Sequence, residues 1–467
     1  MNKIIIKIIT LALLTFISTG FLGNLLMEGR RGHEVWNNFY KIPNKTLDII
    51  FLGNSLSYSS FNPLVFNGFL GVRSYNLGVA DLNIKQAYYN LKEALNNHRP
   101  KLVILEAYSL DIPDKSEEDR LGFKFENLDS QKFSFRKLKA INNQFSTLQN
   151  KIYAISPLIR NHNNWDNFDV IQNNLENTFI KDRYLGYKLV KSGLNEKQFK
   201  KALEKLPIDH SFNEENLNYF EKLVNLCHVN NVQLLVVRAP VLLYKYNMKY
   251  YDRVYNNTKA LCDKYKIKYI DYNQKYNGNS FNKSFYSDQI HLNYKGATKL
   301  SELLVNELDT IKIEKNKLRS QPQEPEDYIY SNNYKHLGQT LYEGRHFVDD
   351  STVISGVKLL KLRSDEYSII VEMEKGLDFN KISNINFGYY FYPVDSQVSL
   401  LKTDKDLKRK YTSLGGDGVP MYFKEKYYVT LRAYNTKIKE YKKLKIQLYN
   451  KKGGYGKDLI IENVLFE

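Results

Sequence analysis

The sequence predicts an α/β domain built on a mostly parallel sheet, followed by a separate all-β unit. In the first two thirds of the chain, short apolar runs alternate with amphipathic helical patterns. Strands separated by helices pair in parallel, with the helices covering both faces of the sheet. Beyond a charged, proline-containing stretch at 311–332 the helical spacing gives way to short alternating runs divided by glycine turns. With 467 residues the chain also exceeds what one hydrophobic core usually supports.

The N-terminal segment comes first. Lys3 and Lys7 precede an uncharged run, IITLALLTFISTGFLGNLLM, at 8–27. As a helix twenty such residues rise about 30 Å, so 1–27 is expected to be a transmembrane helix anchoring the chain in the cell membrane. The two lysines place its start in the cytoplasm and the remaining chain on the extracytoplasmic side. A cleaved signal peptide is the alternative, although no AxA-like site is evident.

The α/β domain is expected over 45–310. Its strands are read at 47–53 (LDIIFLG), 72–78 (VRSYNLG), 101–106 (KLVILE), 233–238 (QLLVVR) and 268–272 (KYIDY). Helical spacing appears through Ala87, Leu91 and Leu95, through Leu217, Phe220, Val224 and Cys227, and through Ala297, Leu300, Leu304 and Leu308. An insertion at 110–209 separates the third and fourth strands, with helical hints at 131–153 and a polar stretch, RNHNNWDNFDV. Long insertions at strand ends of α/β sheets shape active-site mouths, so a lid or substrate platform is expected. After the linker at 311–332, the unit at 333–467 reads as a β-sandwich of jelly-roll type, with strands at 357–362, 367–372, 382–392, 427–434, 444–449 and 459–466. It resembles a carbohydrate-binding module, and Tyr389, Tyr390, Phe391 and Tyr392 form an aromatic cluster suited to sugar faces or to the core.

Composition narrows the function. Hydrophobic residues make up 43% and aromatics 14%, which argues against long disorder. A net charge of +17 attracts polyanions, yet the lysines are scattered and no nucleic-acid-binding signature occurs, so anionic lipid or surface polymer is the expected partner rather than nucleic acid. Cys227 and Cys262 lie in no metal-ligand spacing and read as buried free thiols. The histidines form no HxH or HExxH pair, so no metal or other cofactor is expected.

The chemistry concentrates at strand ends. Ser55 lies just past the first strand, where open α/β sheets bind ligands, and Gly53 permits a tight turn there. A serine hydroxyl needs a base to take its proton, and the base needs a third group to hold its tautomer. Asp288 and His291, three apart and directly before the last helix, supply that pair. Arg238, at the end of the fourth strand, is either the holder of an anionic substrate group or a solvated strand-end arginine.

GNSL at 53–56, YNLG at 75–78 and the Asp288/His291 pair resemble the first, second and fifth blocks of the SGNH, or GDSL-like, hydrolase superfamily over about 45–310. The resemblance implies a Ser55–His291–Asp288 triad, with the amides of Ser55 and Gly78 in the oxyanion hole. Asn54 stands where the family usually has Asp. The third block, GxND, is missing, since the sequence there is LEAYSLDIPD, and Asn83 is the candidate third donor, or else a helix cap. With the anchor and the sandwich, the chain resembles extracytoplasmic polysaccharide O-acetyltransferases and, more distantly, teichoic acid D-alanyl transfer proteins. That likeness implies transfer of an acyl group, acetyl above all, from a multi-spanning membrane acyltransferase to a cell-surface polysaccharide. An esterase of the same fold and a catalytically silent, membrane-anchored glycan-binding protein are the alternatives.

Overall fold

The computed structural model describes residues 3–27, 31–112, 120–179, 184–190, 193–205, 209–275 and 281–308, together with the backbone of strands between 340 and 461. The chain divides into two compact units, the first comprising Met1–Phe66 and Val72–Ser320 and the second Gln321–Glu467 together with Asn67–Gly71. The expected linker at 311–332 lies outside the described residues.

In the first unit the elements are α1 (Lys3–Leu26), α2 (Arg31–Phe39), β1 (Ile49–Leu52), α3 (Ser55–Ser60), α4 (Pro63–Leu70), β2 (Ser74–Asn76), α5 (Ile84–Asn97) and β3 (Leu102–Glu106). There follow α6 (Tyr108–Asp111), α7 (Leu121–Asp129), α8 (Phe135–Gln144), α9 (Leu148–Ile155), α10 (Pro157–Asn161), α11 (Phe168–Phe179), α12 (Glu196–Leu203) and α13 (Glu214–Val229). The unit closes with β4 (Gln233–Arg238), α14 (Met248–Lys264), β5 (Lys268–Asp271), α15 (Tyr272–Lys275) and α16 (Tyr294–Leu308).

The five strands form one parallel sheet in the order β2-β1-β3-β4-β5. Every residue of β1, β2 and β3 is buried, as is all of β4 except Gln233. Strands covered on both faces need apolar side chains at successive positions, which is why they read as unbroken runs rather than alternations. The order reverses between β1 and β3, and the crevice beyond the carboxyl ends at such a switch point is where this architecture binds ligands. Between these strands run helices with a buried stripe; α16 buries Ala297, Leu300, Leu304 and Leu308, the four positions its spacing singles out. Cys227 and Cys262 are buried and free, and burial pushes both thiols up to about 12.

The insertion is helical. Ser134 caps α8 by accepting from the Lys137 amide, and Thr147 caps α9 by accepting from the Asn150 amide. The segment 184–190 crosses the edge of the sheet, where the Asn76 amide donates to Leu185 O at 2.9 Å and the Lys188 amide to Tyr58 O at 2.8 Å.

α1 forms over the segment expected to span the membrane. Among the described residues no helix is long and apolar enough to cross a membrane. Lys3 and Lys7 lie within α1 rather than before it. Its last turn is held by the insertion, because Asn164 Nδ2 donates to Leu26 O at 3.0 Å and Asn174 Nδ2 to Leu25 O at 2.9 Å. The Gly23 Cα approaches α10 so closely that a Cβ there would lie 3.2 Å from the Leu158 nitrogen.

The second unit is all-β among its described residues. Its strands are β6 (Thr340–Glu343), β7 (Val353–Ile354), β8 (Val357–Ser364), β9 (Ser368–Met373), β10 (Phe387–Pro393), β11 (Val419–Phe423), β12 (Lys426–Arg432), β13 (Leu444–Asn450) and β14 (Asp458–Ile461). They make two antiparallel sheets, one ordered β10-β13-β14 and the other β11-β12-β9-β8-β6 with β7 paired to β8. β10 carries the aromatic cluster and pairs Tyr390 with Gln447 and Tyr392 with Lys445. The side chains of that cluster lie outside the described residues.

Candidate active site

Ser55 is positioned by the turn between β1 and α3. Gly53 has φ +145°, a conformation that L side chains rarely adopt, and a Cβ there would lie 2.8 Å from Glu106 Cβ and 3.0 Å from Ser57 Cβ. Asn54 caps α3, its Oδ1 accepting from the Leu56 amide at 2.8 Å. Asparagine caps as well as aspartate does, so this departure from GDSL leaves the turn intact. Ser55 is then the first residue of α3, and its amide is one of the helix's orphan donors, with no partner among the described residues.

The loop 286–293 brings the other two groups. Ser287 N and Oγ both donate to His291 O, at 2.9 and 3.2 Å, which closes the segment into a tight turn. Asp288 Oδ1 accepts from the amides of Ile290 (2.9 Å) and His291 (2.8 Å), and Oδ2 faces His291 Nδ1 at 2.7 Å. His291 Nε2 in turn lies 2.7 Å from Ser55 Oγ. The structure therefore brings Ser55, His291 and Asp288 into one hydrogen-bonded chain across 236 residues of sequence. Burial opposes charge on Asp288, but the bonds from His291 and the two backbone amides outweigh it and hold its carboxyl below the usual range. An ionised Asp288 assigns the imidazole proton to Nδ1, leaving Nε2 to accept from the serine hydroxyl.

The expected oxyanion donors divide. The Gly78 amide points inward and donates to Asn76 Oδ1 at 2.9 Å, so this structure does not offer it to a ligand. Glycine is needed there for close approach, since a Cβ would lie 3.0 Å from the Tyr58 nitrogen and 3.2 Å from Asn54 O. Asn83 caps α5 in a reciprocal capping box with Gln86, at 3.0 and 3.1 Å. That bond uses Oδ1 and leaves Nδ2 without a partner among the described residues.

Arg238 requires a correction, because it is neither a solvated strand-end arginine nor open to a substrate. It is fully buried and donates to Asp111 Oδ2 (2.5 Å) and Oδ1 (3.3 Å), Thr258 Oγ1 (2.9 Å), Tyr269 OH (3.1 Å) and Tyr244 OH (3.3 Å). The guanidinium is enclosed by Asp111, Tyr244, Thr258 and Tyr269, so the end of β4 meets protein at this residue rather than water.

Two residues to which the sequence assigned no role complete the support. Asn76 Nδ2 donates to Ser57 O and Phe61 O, both at 3.0 Å, tying β2 to α3; a polar residue in a buried strand was the available signal. Glu106, at the end of β3, is fully buried beneath Gly53 and accepts from the amides of Tyr108 (2.9 Å) and Ala239 (3.3 Å). Burial raises its carboxyl to about 8, although Arg238 pulls the other way. A carboxylate in the otherwise apolar run KLVILE marked that position.

No family model matches the chain, and no curated protein matches it. Among solved structures it is similar to a GDSL-like lipase from Bacteroides thetaiotaomicron, at 11% identity and a TM-score of 0.26, over 56% of this chain and 85% of that one.

Proposed function

We propose that this protein is a serine-nucleophile enzyme that moves an acyl group through an acyl-Ser55 intermediate. The observation that carries the reading is the pair of 2.7 Å contacts joining Ser55 Oγ, His291 and Asp288. Such a chain lets Nε2 take the hydroxyl proton as Oγ attacks the acyl carbonyl, while Asp288 steadies the imidazolium that forms. The tetrahedral oxyanion is met by the Ser55 amide, with Asn83 Nδ2 as the second donor. Collapse breaks the bond to the leaving group, which carries off the proton held on Nε2. An acceptor hydroxyl then gives its proton to Nε2, attacks the acyl-serine and regenerates Ser55.

For the acceptor we infer a hydroxyl of a cell-surface polysaccharide, with a membrane acyltransferase supplying an acetyl group. This reading places the site on the extracytoplasmic side. A second reading, hydrolysis by water, is favoured by the openness of the site, where the His291 and Asp288 side chains are 24% and 35% exposed.

A fluorophosphonate probe tests the chemistry common to both. The wild type is expected to label at Ser55 and Ser55→Ala to remain unlabelled. Absence of labelling in both would leave a silent glycan-binding protein as the surviving account. With an acyl ester as donor and a polysaccharide as acceptor, acyl on the polymer identifies transfer, and release of free acid alone identifies hydrolysis.

A further inference from the structure

Large apolar side chains exposed among the described residues are concentrated in α1 and the insertion, the exceptions being Leu217, Val229, Tyr246 and Met248. Leu148, Ile152 and Ile155 recur at i, i+4 and i+7 and share one face of α9, while Ala154 faces inward. Ile159 continues the series in α10, and Trp165 in the short 3-10 helix His162–Asp166 and Phe168 at the start of α11 follow, exposed by 70% and 78%. These same elements hold the end of α1, through the Gly23–Leu158 approach and the side chains of Asn164 and Asn174. The apolar surface of the insertion is thus built onto the apolar helix that precedes the catalytic domain.

Its charge is one-sided. Between residues 131 and 169 the chain carries Lys132, Arg136, Lys137, Lys139, Lys151 and Arg160 against Asp166 and Asp169. Arg136 and Arg160 pair with Glu93 and Asp129, both outside that stretch, and Lys137 is buried with its Nζ on Asp129 O and Gln131 O, which leaves Lys132, Lys139 and Lys151 as the accessible basic margin. Apolar and aromatic groups of this density are seldom left to water, and a basic margin selects for an anionic partner.

We propose that the face formed by α9, α10 and the start of α11 lies on a bilayer surface with anionic headgroups. Its apolar side chains enter the boundary between headgroups and acyl chains, and the lysines meet lipid phosphates. The contact is interfacial and needs no spanning helix. It fixes how the site is oriented to the membrane and does not depend on which acyl group Ser55 carries.

The two tryptophans make the test specific, because Trp36 is fully buried and Trp165 is exposed. Full-length protein is floated with vesicles of phosphatidylcholine and phosphatidylglycerol whose acyl chains are brominated or unbrominated. Bound wild type is expected to show a blue-shifted emission that brominated lipid quenches, and Trp165→Phe to lose that quenchable component while still floating. Failure to float, equal quenching in wild type and Trp165→Phe, or a blue shift that lipid bromines do not quench would each overturn the proposal. The last result would assign the face to a protein surface, such as a second copy of the chain. Fluorophosphonate labelling of Ser55 is read separately, so loss of the lipid contact and loss of the catalytic chemistry are told apart.

Discussion

Replacing Arg238 with methionine separates a core arginine from a substrate-binding one. The substitution keeps much of the side-chain volume but removes every donor that reaches Asp111, Thr258, Tyr269 and Tyr244. Asp111, only 4% exposed, is left with His210 Nε2 at 2.9 Å as its side-chain partner. Breaking one side of a buried pair costs about 3–5 kcal/mol, because the remaining charge stays desolvated. In a domain of this size that lowers the melting temperature by about 10 °C. Removing both charges in Arg238→Met/Asp111→Leu should recover part of the loss, since Asp111 is no longer stranded while Asp271, 3.9 Å from the Arg238 Nε, still loses its cation. Both tryptophans lie in the first unit, so urea unfolding followed by tryptophan fluorescence reads this unit alone. KM is measured in parallel for a neutral and an anionic ester. An unchanged unfolding midpoint, combined with a KM that rises for the anionic ester only, would refute the assignment of Arg238 to the core.

Three further outcomes follow from the geometry. Gly53→Ala forces a Cβ towards Glu106 and Ser57 at φ +145°, and should cost at least about 1–3 kcal/mol in urea unfolding while lowering turnover by misplacing Ser55. Asn83→Asp keeps the Oδ1 cap but loses the Nδ2 donor, so kcat should fall about 10²- to 10³-fold with little change in melting temperature; an unchanged kcat would remove Asn83 from the oxyanion hole. Glu106 titrates near 8 when folded against an ordinary 4.5, so between those values the folded protein holds a proton that the unfolded chain has released. Its contribution is full below the lower value and is lost as pH rises through the upper one, and Glu106→Gln should flatten that part of the stability-versus-pH curve.

Much of the α/β domain was legible because its signals are local. β4 and α5 fall on the residues that apolar runs and helical spacing indicate, and β1 ends at the glycine that turns the chain. Ser55, Asp288 and His291 could be singled out because they lie near element boundaries beyond the sheet, and the structure brings them within hydrogen-bonding reach of one another. Arg238 was misread because its partner Asp111 is 127 residues away, and nothing local marks such a pair. Gly78 was misassigned for the opposite reason, since its amide is claimed by Asn76 only two residues earlier, a detail of loop conformation rather than of pattern. In the second unit β6, β7 and β11 escaped notice because they are short, and Pro420 interrupts the strand signal of the last. The insertion's helices were blurred because their exposed faces are apolar, which weakens the contrast that reveals an amphipathic helix.

Intact-mass analysis and peptide mapping after an acid quench, with p-nitrophenyl acetate as acyl donor, test the nucleophile most directly. The account predicts one acetyl group on the peptide that contains Ser55, and none on that peptide in Ser55→Ala. An adduct on another residue, or equal acetylation of both proteins, would contradict it.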